Sequence, residues 1–153
     1  MTACIGAKKK AMATGSRNLV LVIDDDLWVA DYISDVIQAL FGFSILKADS
    51  AETARRLFYA NSDGIAAVVS DLSLRGVQST AMVKEMTAAC PDLAVVFVTG
   101  HVESERDLSK AVGRPVALVM KPFGLIDLKT ALESRLSYPG QRPSDLESKY
   151  SES

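Results

Sequence analysis

The 153-residue chain has few cysteines and no long apolar segment. Two cysteines, Cys4 and Cys90, are too few for a disulfide framework. No apolar run approaches the ~18 residues that a membrane span needs. The opening stretch, MTACIGAKKKAMATGS, has a lysine cluster but lacks the apolar region of a secretory signal. These absences predict a cytoplasmic protein that does not enter a membrane.

Charge is nearly balanced overall but is distributed unevenly along the chain. The net charge is −2, of which residues 1–17 contribute +4 and residues 18–138 contribute −5. An acidic body argues against direct nucleic-acid binding, because phosphate contacts need a basic face. We expect residues 1–17 to be a disordered basic leader and residues 138–153 a disordered polar tail. Residues 18–137 then form one domain.

Short apolar runs alternate with helical patterns through the predicted domain. The runs are rich in Val and Ile and mostly lack period-two alternation, which is typical of parallel strands buried on both faces. They lie at 18–23, 43–48, 65–70, 93–98 and 116–120. One helix face is indicated by the spacing of Val29, Ile33, Val36, Ile37 and Leu40. Four further helices are predicted over residues 50–60, 78–90, 103–112 and 124–136. The sequence predicts an α/β fold, a doubly wound five-stranded parallel sheet with five helices.

Polar residues follow four of the five predicted strands. The first strand ends in Asp24, Asp25 and Asp26, and the third in Asp71; Thr99-Gly100 follows the fourth and Lys121-Pro122 the fifth. Each signal alone is common in solvated turns. Together they converge, because the carboxyl ends of parallel strands meet at one edge of a sheet.

These residue types suit phosphoryl transfer to a carboxylate. Asp24, Asp25 and Asp71 form a pocket of hard oxygen ligands of the kind that Mg²⁺ occupies, and a cation would relieve their repulsion. Lys121 supplies a charge for an oxyanion, Thr99 a hydroxyl donor, and Gly100 leaves room for an incoming group. Such catalysis is mostly positioning and charge neutralisation.

Four motifs, LVIDDD, VVSDLSLRG, FVTGH and VMKPF, resemble those of response-regulator receiver domains of two-component signalling. The resemblance covers about residues 18–137 and suggests the stand-alone, single-domain type with a flavodoxin-like fold. It implies that Asp71 is the phosphate acceptor and that Asp24 and Asp25 are the acidic pair for Mg²⁺. The backbone carbonyl of Ser73 is implied as a further ligand.

The resemblance also assigns roles at the later motifs. Thr99, with Gly100 beside it, becomes the switch hydroxyl, and Lys121 becomes the lysine that pairs with the phosphate. The Lys121–Pro122 bond is a candidate for a cis peptide. Asp26 is interpreted as an acid at a helix N-terminus and not as a ligand.

The chain departs from the family pattern at two positions and carries its only histidine at a third. Leu118 stands where the family usually has an aromatic residue coupled to the threonine. Arg75 stands where proline is frequent, and it either shapes partner recognition or is simply solvated. His101 and Ser73 are candidates for tuning how fast the phosphate is lost.

The resemblance implies a signalling switch that catalyses only its own phosphorylation and dephosphorylation. A histidine kinase or phosphotransfer protein would be the donor. The output would be an unknown protein target bound through about 103–136, the removal of phosphate from a kinase, or a dimer partner. Two alternatives stay open: a receiver-like binding module that never uses phosphate, and a phosphatase of the haloacid dehalogenase type. The phosphatase would need a late acidic metal pair, and only Asp127 and Glu133 follow Lys121.

Overall fold

A computed structural model describes residues 17–136, so the predicted leader, apart from Arg17, and the predicted tail lie outside the described residues. Five strands form one parallel sheet: β1 (Leu19–Ile23), β2 (Ser44–Ala48), β3 (Ile65–Asp71), β6 (Ala94–Thr99) and β7 (Ala117–Met120). Their order across the sheet is β2-β1-β3-β6-β7. Two short strands, β4 (Ser73–Leu74) and β5 (Val77–Gln78), pair separately as an antiparallel hairpin.

Five helices cover the two faces of the sheet. They are α1 (Leu27–Phe41), α2 (Ala51–Ala60), α3 (Thr80–Ala89), α4 (Glu105–Val112) and α5 (Leu125–Arg135). Buried side chains of α2, α3 and α4 join one apolar cluster, and those of α1 and α5 join the other. The predicted doubly wound fold is therefore confirmed. Within residues 17–136, none of the helices combines the length and hydropathy of a membrane span.

Side chains of successive strand residues point to opposite faces of the sheet and so pack into different apolar clusters. Along β1, Val20 and Val22 pack with α1 and α5, whereas Leu21 and Ile23 pack with α2, α3 and α4. All four are fully buried. A strand buried on both sides needs apolar residues at every position, which explains the absence of polar alternation in these runs.

Helix ends follow local sequence signals. Asp26 caps α1 by accepting a hydrogen bond from the Trp28 backbone N–H, and Ser50 caps α2 by accepting one from Thr53. Gly42 ends α1 with φ +73°, a left-handed conformation that glycine adopts without steric cost. The interpretation of Asp26 as a helix-terminal acid is thus confirmed.

The β4–β5 hairpin is the element that sequence analysis missed. Leu74 pairs with Val77, so Arg75 and Gly76 form a two-residue loop. Both have positive φ, +52° and +83°, as in a type I′ turn. Strands of two residues give no period to detect, and Arg-Gly is not among the dipeptides that favour this turn.

Helix α5 offers a direct test of which leucines stabilise the fold. Leu128 and Leu132 are fully buried, whereas Leu125 at the first turn is 42% exposed. We expect Leu132→Ala to lower the free energy of unfolding by about 2–5 kcal/mol, because it removes buried methyl groups and leaves a cavity. Leu125→Ala should cost less than about 1 kcal/mol. Urea unfolding measures both, and equal losses would contradict the assignment.

Candidate functional site

Three carboxylates meet at the carboxyl edge of the sheet. Asp24 follows β1, and Asp71 is the last residue of β3; the two strands are adjacent, with Ile23 in register with Ser70. Oxygens of Asp24, Asp25 and Asp71 all lie within 4.8 Å of one another. Asp24 is buried, Asp71 is half-buried and Asp25 is exposed. The structure thus brings together the three acids that the sequence singled out.

Lys121 reaches into this pocket from the end of β7. Its Nζ lies 3.2 Å from Asp71 Oδ2 and 3.6 Å from Asp24 Oδ2. Burial by itself lowers the pKa of Lys121, but the negative charges of Asp24 and Asp71 outweigh it and raise that pKa above its ordinary value. The lysine therefore stays charged and links two acids from different strands.

Burial makes the negative charge of Asp24 energetically unfavourable. Burial, followed by repulsion from Asp71 and Asp25, raises its pKa from 3.8 to about 6, against the opposing effects of the Asp26 backbone N–H and Lys121. Its Oδ1 accepts a hydrogen bond from that N–H at 2.9 Å. Its Oδ2 is buried and has no hydrogen-bond donor. A buried carboxylate oxygen without a donor, beside two more carboxylates, fits a hard divalent cation such as Mg²⁺.

The remaining motif residues border the same edge. Thr99, buried at the end of β6, accepts a hydrogen bond on Oγ1 from the His101 backbone N–H at 3.1 Å, which leaves its own proton free to donate. A Cβ placed on Gly100 would meet no atom within 4 Å, so space is open there. His101 is exposed, and the Lys121–Pro122 peptide is cis.

Two predicted residues have contacts that bear on their roles. The Ser73 backbone N–H donates to Asp71 Oδ1 at 3.1 Å, so the start of the hairpin is bonded to the pocket. Leu118 packs against the buried cluster under α2, α3 and α4. Its backbone N–H donates to Glu105 Oε2 of α4 at 3.1 Å. This leucine links β7 to α4 and holds no ring that could swing inward.

Three contacts at the site had no sequence signal. The Arg75 backbone N–H donates to Asp25 Oδ2 at 3.1 Å, and the Arg75 guanidinium lies 3.7 Å from Asp49 Oδ2. Ser79 Oγ donates to the Asp71 carbonyl at 2.8 Å. All three depend on the hairpin, which positions its tip against Asp25 and its base against Asp71.

Comparison with known proteins agrees with this geometry. Residues 20–133 match the family described as the response regulator receiver domain. The chain belongs to this family. The receiver domain is 29% identical over 104 residues to the C4-dicarboxylate transport transcriptional regulatory protein DctD of Rhizobium meliloti, covering 68% of this chain and 22% of that protein. The receiver domain thus spans about a quarter of the curated relatives it matches.

Solved receiver structures have the same fold. A receiver domain protein from Clostridium thermocellum superimposes with a TM-score of 0.65 at 25% identity, covering 76% of this chain and 92% of that one. The chemotaxis protein CheY4 of Vibrio cholerae gives 0.68 at 21% identity, covering 77% and 98%. The likeness to CheY4 concerns the fold. The receiver domain is thus of the two-component signalling type, as its motifs indicated.

Because the charge of Asp24 is unfavourable, we predict that removing it stabilises the metal-free protein. We expect Asp24→Asn to raise the free energy of unfolding by about 2–3 kcal/mol at pH 7.5, since each pKa unit corresponds to about 1.4 kcal/mol. A raised pKa means that the folded state binds the proton more tightly than the unfolded state. Ionisation therefore destabilises the fold as pH rises from about 4 to about 6.

Thermal unfolding in a chelator across pH 4–8 measures this effect. The gain for Asp24→Asn should fall below about 1 kcal/mol near pH 4, because the carboxyl is then neutral in the folded state and about half neutral in the unfolded state, where its pKa is 3.8. Asp35→Asn on exposed α1 surface serves as the control and should give no gain. A gain for Asp24→Asn that did not change with pH would contradict the electrostatic explanation.

Proposed function

We propose that this receiver domain is a phosphorylation-activated signalling switch in which Asp71 accepts a phosphoryl group from a histidine kinase or a phosphotransfer protein. The observation that carries the proposal is the meeting of Asp71, the Asp24–Asp25 pair and Lys121 at one edge of the sheet. The Asp71 side chain is 12% exposed, so its carboxylate keeps some access to solvent at this edge. Membership of the receiver family supports the same chemistry.

The transfer forms one bond and breaks one. An Asp71 carboxylate oxygen attacks the phosphorus, an acyl phosphate forms, and the bond from phosphorus to the donor atom breaks. Lys121, now shared between Asp71 and Asp24, would pair with the phosphoryl oxygens. Thr99, whose hydroxyl proton is free, would donate to a phosphoryl oxygen and report the new charge to the β6–α4 loop.

A divalent cation fits the acidic pocket. The donors are carboxylate oxygens, and the buried Oδ2 of Asp24 accepts no hydrogen bond and has Lys121 Nζ only at 3.6 Å, so it can still take a cation. Asp24, Asp25 and Asp71, with the Ser73 carbonyl, would hold Mg²⁺. When bound, Mg²⁺ supplies charge neutralisation for the carboxylates and the transferred group.

The output surface is proposed at α4, β7 and α5, within about residues 103–136. A groove runs between these elements and is lined by Glu105, Leu118, Met120, Asp127 and Thr130, among others. Met120 at its edge is 39% exposed, which suits contact with a protein partner. A dimer partner or a separate target protein would bind here. The hydrogen bond from the Leu118 backbone N–H to the Glu105 carboxylate connects β7 with α4 at this groove.

The haloacid dehalogenase alternative loses its support in the contacts of α5. That chemistry needs a late carboxylate in the pocket, but Asp127 Oδ2 accepts a hydrogen bond from the Gly124 N–H at 2.8 Å and caps the helix. Glu133 pairs with Lys129 on the same helix. Among the residues described, the acidic cluster suited to a cation consists of Asp24, Asp25 and Asp71.

Acetyl phosphate tests the acceptor directly. We expect the wild-type protein to gain one phosphoryl group in a Mg²⁺-dependent manner, visible in the intact-protein mass, because the attacking oxygen belongs to Asp71. Asp71→Asn should gain none, since an amide is not a nucleophile of this kind.

Asp26→Asn is the matched control within the same acidic region. Asn caps helices about as well as Asp, and Asp26 caps α1, so this variant should keep its adduct. An adduct on Asp71→Asn would refute the acceptor assignment. Wild-type protein that gained no adduct from acetyl phosphate or from a phosphorylated kinase would favour the phosphate-independent module.

A further inference from the structure

The tip of the β4–β5 hairpin carries a cation beside the acidic pocket. Arg75 is the residue whose backbone N–H bonds Asp25, so its guanidinium is separated from a pocket carboxylate by no more than the arginine side chain and one hydrogen bond of 3.1 Å. That separation is comparable with the Debye length of about 8 Å at physiological ionic strength. The charge of Arg75 therefore acts on whatever binds at Asp25.

The arginine is held in place at two points. Its backbone has φ +52°, which is uncommon for a residue with a Cβ and is fixed here by the type I′ turn and the bond to Asp25. Its guanidinium is 3.7 Å from Asp49, beyond hydrogen-bond distance, and its side chain is 63% exposed. The charge is thus oriented by the turn but only loosely neutralised.

Two cationic residues therefore contact acids at or beside the pocket. Lys121 contacts Asp24 and Asp71, and Arg75 lies at Asp25 and Asp49. A positive charge at Arg75 attracts an anionic phosphodonor and repels Mg²⁺. These two effects have opposite signs, so they can be separated from a loss of local structure, which would weaken both.

We propose that Arg75 determines the charge preference of the site: it favours anionic phosphodonors at the cost of weaker Mg²⁺ binding. The proposal rests on the proposed function for its phosphodonor half, and on the geometry of Asp25 for its Mg²⁺ half. Arg75 acts through its field and its turn, and it does not touch the reacting atoms.

The test measures both halves on the full chain. Mg²⁺ affinity is followed by the emission of Trp28, the only tryptophan, whose backbone N–H bonds Asp26 next to the pocket. The phosphorylation rate with acetyl phosphate is measured by intact mass at saturating Mg²⁺. Arg75→Ala should bind Mg²⁺ two- to fivefold more tightly and accept phosphate two- to fivefold more slowly. Both changes should shrink in high salt.

Two further variants keep the proposal falsifiable. Arg75→Lys retains the charge and should behave like wild type. Asp49→Asn removes the partner of Arg75 and should shift both quantities the other way, towards weaker Mg²⁺ binding and faster phosphorylation. Thermal unfolding checks that each variant is folded.

The outcomes separate this proposal from the proposed function. If Arg75→Ala weakened both Mg²⁺ binding and phosphorylation, or moved neither, the charge preference would be wrong; so would a lysine variant that behaved like alanine. Wild-type protein that took no phosphoryl group would refute the proposed function and, with it, the phosphodonor half. The Mg²⁺ titration would still decide whether Arg75 opposes the cation.

Discussion

The arrangement of the site depends on one costly feature, the buried carboxylate of Asp24. It lies beside Asp25 and Asp71 in a position where water cannot solvate it, and burial is the largest cause of its raised pKa. Lys121 compensates only in part, because Nζ is 3.6 Å from Asp24 Oδ2 and closer to Asp71. An apolar or amide side chain at this position would avoid the cost of burying a charge. A ligand that brings positive charge, as we propose for Mg²⁺, would relieve this cost.

The parallel sheet makes this concentration of charge possible. Each of β1, β3, β6 and β7 is bonded to its neighbours through its backbone and packs apolar residues on both faces. The sheet and helices therefore supply the stability, and the loops at the carboxyl edge are free to hold unfavourable groups. Asp24, Asp71, Thr99 and Lys121 need no mutual attraction to meet, since the strands that precede them fix their positions.

The sequence predicted the features that depend on repeated local pattern. All five sheet strands and all five helices were expected, and most of their boundaries differ from the prediction by one or two residues. Short apolar runs that alternate with helical patterns are compatible with few folds. The pocket carboxylates and Lys121 were expected to converge because each follows a strand. The hairpin was missed, and so were the contacts of Arg75 with Asp25 and Asp49, since a two-residue turn and a contact across 50 residues leave no period in the sequence. The burial that raises the pKa of Asp24 likewise arises from the packed fold and not from its neighbours in the chain.

The replacement of an aromatic residue by Leu118 changes how the site can be connected with α4. A leucine cannot rotate a ring into the space near Thr99, and here it is packed into the cluster beneath α4. Its backbone N–H is instead bonded to Glu105, the first residue of α4, while Thr99 is bonded to the backbone of His101 in the loop that leads to that helix. The covalent chain of the β6–α4 loop therefore joins two hydrogen bonds, one between His101 and Thr99 and one between Glu105 and Leu118 of β7. A change at Thr99 that displaced this loop would alter a backbone contact of the edge strand β7, with no need for a side chain to exchange positions.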